Sequence, residues 1–306
     1  MRYLVVIASI ALSFSVYGQQ LAQYSHFVNN YFAYNPAMAG SAPCLDMKLG
    51  YRKQWLGVDE APTTAFANLH GNFGDDGRNF HGIGGLVETD GAGPLSFTSL
   101  HLAYAYHMKA SRKSMLSMGV AVGLFQYRID ISSMTFASSI PDPAIEGPAS
   151  AFIYPQINVG LWWYREDRFL GFSMRNVAEN DIPQIAASKL RRHYEVMAGK
   201  NVNLSDDFQF KPAAQIKYVA SSRMALDMQA MMDYKDKVAL GLGFRSEHGL
   251  TGLLKIDMFK YVSLAYAYDM TLNKVRLGGR NTHEITIGLQ GCPTDEVRYI
   301  PCAAYD

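Results

Sequence analysis

The chain has 306 residues, a formal net charge of +1, 49% hydrophobic residues and 18% charged ones. A balance this even gives no support for a nucleic-acid partner, which usually needs a basic face, and three cysteines are too few for a disulfide-built scaffold. The 26 Gly and 19 Tyr suit strands that are apolar on one side and small or polar on the other.

At the start, Met1-Arg2 is followed by an uncharged apolar run, Tyr3 to Val16, and then by Tyr17-Gly18. This layout predicts a secretory signal peptide over residues 1–18. The run is too short for a spanning helix, which needs about 20 apolar residues. Residues 19–43 are polar and aromatic and show no alternation. They are expected to fold as a plug into a lumen or across its mouth, with Asn35-Pro36 as a turn. A disordered leader is the alternative.

From 44 to 290 the pattern has period two, the mark of β-strands. Strands are predicted near 45–57, 63–73, 81–89, 95–107, 113–127, 153–164, 168–176, 192–203 and 207–218. Five cleaner ones follow, at 224–233, 238–245, 250–258, 262–268 and 285–289. In the last group Leu240, Leu242 and Phe244 oppose Ala239, Gly241 and Gly243. Fourteen is an even number, as a single-chain bacterial barrel requires. Connections also alternate in length. Short charged turns such as Arg165-Glu166-Asp167 and Tyr234-Lys235-Asp236 face one side, and long loops near 128–152, 177–191 and 270–281 face the other. The fold class predicted is all-β: a transmembrane outer-membrane antiparallel β-barrel of about fourteen strands with a plug-like N-terminal segment. Its partners then include outer-membrane lipid.

Tyr104, Tyr106, Trp162 to Tyr164, Tyr266 and Tyr268 are expected in interfacial girdles. Asp46, Asp227 and Asp257 are expected in the lumen, paired with Lys48, Lys255 or Arg245. Arginine at lipid-facing Leu240 should cost about 2–4 kcal/mol near the midplane, whereas serine at Gly241 should be mild.

No GxSxG, HExxH, GxxxxGK[ST] or GxGxxG motif occurs, so neither an enzyme nor a cofactor or metal is expected. His101 and His107 are read as separate polar positions on opposite faces. Adjacent His283 and Glu284 must face opposite ways in a strand, so a structural role at the barrel seam is expected. Cys44 begins the first strand and Cys292 ends the last, which closure makes neighbours. A Cys44–Cys292 disulfide is therefore feasible in an oxidising compartment, with a Cys292–Cys302 bond or none as alternatives. Residues 291–306 form a C-terminal periplasmic tail.

Several motifs run through the chain in order. They are Gln23-Tyr24-Ser25, Asn29 to Phe32, and Tyr34-Asn35-Pro36-Ala37-Met38-Ala39-Gly40. Tyr51-Arg52-Lys53-Gln54-Trp55-Leu56-Gly57 and Ala61-Pro62-Thr63-Thr64 come next, then Tyr266-Ala267-Tyr268-Asp269 and Thr282-His283-Glu284-Ile285. The set resembles the PorP/SprF family of type IX secretion membrane proteins. That resemblance implies a Bacteroidota outer-membrane barrel that helps to export, or retain at the surface, particular adhesins and gliding-motility proteins. The implied partners are the C-terminal domain of a secreted cargo and translocon or periplasmic-ring subunits. Asn35, Pro36, Gly40, Tyr51, Arg52, Trp55, Pro62, His283 and Glu284 are the motif residues expected to contact a partner or the plug. The tail after Gly291 departs from the family pattern. The alternative function is an outer-membrane channel or hydrophobic-solute transporter, which fourteen strands also suit.

Overall fold

The computed structural model describes residues 21–74, 79–130, 150–182, 188–220, 222–246, 248–259, 261–272, 281–291 and 302–305. The signal-peptide segment, Cys292 and much of the three long loops lie outside them.

Fourteen strands among the described residues form one ring. They are β1 (Asp46–Lys53), β2 (Thr63–Phe73), β3 (Asn79–Ala92), β4 (Leu95–Ser111), β5 (Ser114–Ile129), β6 (Ser150–Tyr164) and β7 (Arg168–Arg175). The second half comprises β8 (His193–Lys200), β9 (Phe208–Val219), β10 (Ala225–Tyr234), β11 (Val238–Arg245), β12 (Gly249–Met258), β13 (Val262–Thr271) and β14 (Thr282–Gln290). Every strand pairs antiparallel with its sequence neighbours. The ring closes where β1 pairs with β14, from Asp46↔Gln290 to Lys53↔His283. Closure leaves no sheet edge around the waist, which matters because backbone groups in hydrocarbon cannot bond water. We call the end where β1 begins and β14 finishes the base, and the opposite end the rim.

The alternation sets two faces. Leu240 and Leu242 point outward, 60% and 76% exposed, while Ala239 and Arg245 point inward and are buried. Around the ring the outside is apolar, while the inside mixes polar and charged side chains with buried aromatics such as Phe66, Phe80 and Phe169. Inward positions carry Asn68, His70, Glu88, Gln156, Asp227 and Asp269, all buried. Ion pairs join Lys48 to Asp46 at 3.3 Å, Lys217 to Asp227 at 2.8 Å and Lys255 to Asp257 at 2.9 Å.

Three expectations fail here. His101 and His107 share the inner face, as a separation of six residues requires in a strand, and both are buried. Trp162 and Tyr164 also face inward and are fully buried, so only Trp163 of that run is free to sit in a girdle. Gly241 is not a roomy lumen position: a Cβ there would strike the Met231 sulfur and lie 2.7 Å from the Ala230 carbonyl. The wall is packed at that point, so serine is not a mild change.

The inner faces need something to pack against, and the chain supplies it. Residues 21–43 lie inside the ring as three single-turn 3-10 helices, Phe27–Asn29, Tyr31–Ala33 and Pro36–Met38. Nearly every side chain from Tyr24 to Ala42 is buried. At the base, Ala303 N–H donates to the Arg165 carbonyl at 3.0 Å, and Asn201 Nδ2 donates to the Ala303 carbonyl at 3.0 Å. Tyr305 Oη meets His70 Nε2 at 2.6 Å. The end of the tail is thus tucked into the mouth of the ring.

Candidate functional site

The site is the contact between residues 21–43 and the inner wall, and it has two parts. The first is a row of small residues. Gly82 of β3 pairs with Ala105 of β4, which pairs with Gly119 of β5, which pairs with Gly160 of β6. Four adjacent strands therefore present almost no side chain at one level. Into this seat the backbone of residues 35–40 settles. A Cβ on Gly82 would overlap the Ala39 carbonyl, one on Gly119 the Ala37 backbone, and one on Gly160 the Asn35 amide oxygen. Gly40 adopts φ +75°, and its own Cβ would lie 2.5 Å from Gly82 Cα. A left-handed turn at a backbone-to-backbone contact admits only glycine.

Polar groups fix the register of the segment on this seat. Asn35 Oδ1 accepts from Ala37 N–H at 2.9 Å, capping the third turn, with Pro36 at its first position. Its Nδ2 donates to the carbonyls of Leu161 at 3.0 Å and Phe172 at 3.1 Å, on β6 and β7. Ser117 Oγ donates to the Ala37 carbonyl at 2.7 Å, and the His107 ring meets the Ala39 carbonyl at 2.7 Å. Phe80 stacks on that imidazole, with 4.2 Å between ring centroids. Gly40 N–H donates to His70 Nδ1 at 3.2 Å.

The second part is a charged clamp on β1 and β10–β14. Glu284 accepts the N–H groups of Ser25 at 2.6 Å and His26 at 3.1 Å. Ser25 Oγ donates to Asp269 at 2.5 Å and accepts from Arg52 Nε at 3.0 Å. Arg245 bridges Asp269 at 3.1 Å and the Gln23 amide oxygen at 3.1 Å. Gln229 Nε2 donates to the Ser25 carbonyl at 2.5 Å. Arg52, Arg245, Asp269 and Glu284 are all buried, so each charge depends on its partners. Across the lumen, Tyr24 Oη donates to Glu88, which also pairs with Arg175 at 3.2 Å. Burial, reinforced by that carboxylate, raises the Tyr24 phenol well above its ordinary value. Burial, aided by Lys255 and Lys48, lowers the His26 pKa to about 3 and keeps the ring neutral.

The motif residues therefore divide. Asn35, Pro36 and Gly40 lie in the seat, and Arg52 and Glu284 lie in the clamp. The structure places the other four elsewhere. Tyr51 points outward and is exposed. Trp55, at φ +44°, sits in the rim loop between β1 and β2, which Pro62 closes by accepting Gln54 N–H at 2.9 Å. His283 lies outside the lumen against Tyr266 Oη at 2.7 Å. Cys44 is disulfide-bonded. Sequence reading missed the glycine row, Ser117, Asp269 and Arg175. Their signal was present in part, as small or polar residues at inward positions, but the register that aligns them is not a local property. Among the described residues no group of three or more His, Cys, Asp or Glu could hold a metal ion.

Solved structures share the fold. A Pseudomonas aeruginosa FadL homologue matches with a TM-score of 0.51 at 11% identity, over 89% of this chain and 95% of that one. The Pseudomonas putida toluene transporter TodX matches with a TM-score of 0.51 at 9% identity, over 88% of this chain and 94% of that one. Identities this low establish the barrel architecture alone. No curated protein matches the chain. The family model for the type IX secretion system membrane protein PorP/SprF matches residues 16–289. Its span takes in both the buried segment and all fourteen strands, and the chain belongs to this family of outer-membrane barrels.

Proposed function

We propose that the chain is a non-enzymatic barrel of the type IX secretion system that assists export or surface attachment of particular cargo, such as adhesins or gliding proteins. Residues 19–43 serve as its plug. In this reading the base is periplasmic, facing the translocon or its periplasmic ring, and the rim is extracellular. The supporting observation is that the lumen holds the chain's own N-terminal segment, bonded to both walls, with residues 303 and 305 bonded to the wall at the base. Such a barrel presents surfaces rather than a path. The channel reading requires the segment to leave a lumen in which it is buried and multiply hydrogen-bonded.

The disulfide of Cys44 is assigned to Cys292, tying the tail to the seam; recovery of an unlinked Cys44 peptide in non-reducing mapping would remove that pairing. The function is tested by affinity purification from gently solubilised outer membranes of the native organism. Recovery of a large surface protein bearing a type IX signal, or of translocon subunits, supports the secretion role. A barrel recovered alone, with steady conductance in planar bilayers, would replace that role with the channel.

A further inference from the structure

The ring is not level at the rim. β6 pairs with β7 only from Val159↔Met174 to Tyr164↔Phe169, so residues 150–158 rise past the end of β7. β4 and β5 remain paired up to Leu95↔Ile129. In the waist these strands point Leu100, Leu102, Val122 and Leu124 outward and Ser99, His101, Gln156 and Asn158 inward. Above that level the polarity of β4 and β5 reverses. Their outward positions become Ser96, Thr98, Gln126 and Arg128, with Thr98 Oγ1 donating to Thr89 Oγ1 at 3.3 Å, whereas β6 keeps Ile153 outward and 61% exposed. Inward positions become half-buried Leu95, Phe97, Ile129, Phe152 and Tyr154, clustered around buried Phe125, Tyr127 and Leu190.

The polar outer faces of β4 and β5 cannot sit in hydrocarbon, so this part of the wall, with Ile153 at the level of Gln126, stands clear of the bilayer core. Lipid tails therefore cover neither exposed Ile153 nor the half-buried aromatic inner shelf, and an apolar patch facing water marks an interaction site. A second feature says what kind of partner fits. Val177 N–H reaches the Ile157 carbonyl at 2.9 Å and Asn180 Nδ2 reaches the Pro155 carbonyl at 2.6 Å. These carbonyls point away from β5, and backbone groups alternate sides along a strand. The N–H and C=O of Ile153 and Ala151 therefore point the same way, and no bond from another described residue reaches them. A row of strand donors and acceptors beside an apolar shelf is matched by another peptide backbone with apolar side chains, the arrangement of strand addition.

We propose that the raised wall of β4–β6 is the docking surface for an exported polypeptide. An extended segment of the partner adds to the edge of β6 at Ala151 and Ile153 and lays its apolar side chains on the shelf of Phe97 and Phe152. This proposal rests on the secretion reading and gives it a place on the molecule. Proline at Ile153 is the selective variant, because the N–H it removes faces away from β5 and leaves that ladder intact. F97S attacks the shelf independently.

The test places a photoreactive benzoylphenylalanine at position 152 of the full-length chain in native outer membranes, followed by irradiation and mass spectrometry. The expected adduct is to one exported polypeptide, with attachment points within one extended segment, and it is lost in both I153P and F97S barrels that remain resistant to heat unfolding. Adducts only to lipid or to this chain, or an adduct unchanged by both variants, would overturn the docking surface. Surface display separates the two levels. If deleting the chain leaves every surface protein displayed, the secretion reading fails. If deletion abolishes display while I153P and F97S preserve it, only the docking surface fails.

Discussion

Along β3–β6 the barrel meets residues 35–40 with hydrogen atoms where side chains would stand. Along β1 and β10–β14 it meets residues 23–26 with carboxylates and guanidinium groups. The same segment is thus held at one end by shape and at the other by charge. The close-packed contact fails when an atom is added. Charge tolerates small displacements but fails when one partner is removed, because the remaining buried ions lose their compensation. The consequence is that the two ends should be separable by mutation.

The largest effect is expected at the clamp. Arg245→Met leaves Asp269 and Asp227 without the guanidinium that lies 3.1 and 3.6 Å from them, at a cost of about 3–5 kcal/mol. Unfolding by urea in lipid vesicles should report it, with residues 23–26 losing amide-exchange protection first. Leu240→Arg comes next, at about 2–4 kcal/mol if it lies near the midplane. It strikes the outer wall, so the barrel should weaken without selective exposure of either end of the segment.

Gly119→Val should cost about 1–3 kcal/mol by overpacking, directed at the seat. Exchange should rise at residues 36–39 while 23–26 stay protected; simultaneous loosening of both ends would refute the division into shape and charge. A pH dependence is expected at the clamp. His26 has a folded pKa of about 3 against 6.5 for the free side chain. The unfolded chain therefore binds the proton first, and stability present above pH 6.5 declines as the pH falls toward 3. A His26→Gln barrel should lack that component of the decline. The smallest effect belongs to Gly252→Ala on the outer wall, where a Cβ would meet nothing within 4 Å. Its unfolding stability should match the parent to within about 0.5 kcal/mol, which checks that glycine replacement is harmful only where a Cβ would meet neighbouring atoms.

Much of this architecture was legible in the chain. Alternation is a local property, so Met224 to Leu289 could be divided into five strands and assigned faces without knowledge of their neighbours. Local arithmetic also placed Glu284 opposite His283. It failed where faces were judged by residue type alone. Trp162 and Tyr164 resemble girdle aromatics, yet they line the lumen because Trp163, one position away, takes the outer face. Gly241 resembles a spare lumen position until Met231 on the adjacent strand fills it.

The sequence by itself determined the β class, the strand count, the outward apolar band and, through its ordered motifs, the family. Each of these is written in spacings of one or two residues or in contiguous words. Only the tertiary structure decided that Gly82, Ala105, Gly119 and Gly160 form one seat, that Ser25 and His26 are held by Glu284, and that β6 outruns β7. Those facts depend on cross-strand register and closure, which bring together residues separated by up to 259 positions. Register is fixed by the sum of many pairings around the ring, and no single strand contains it.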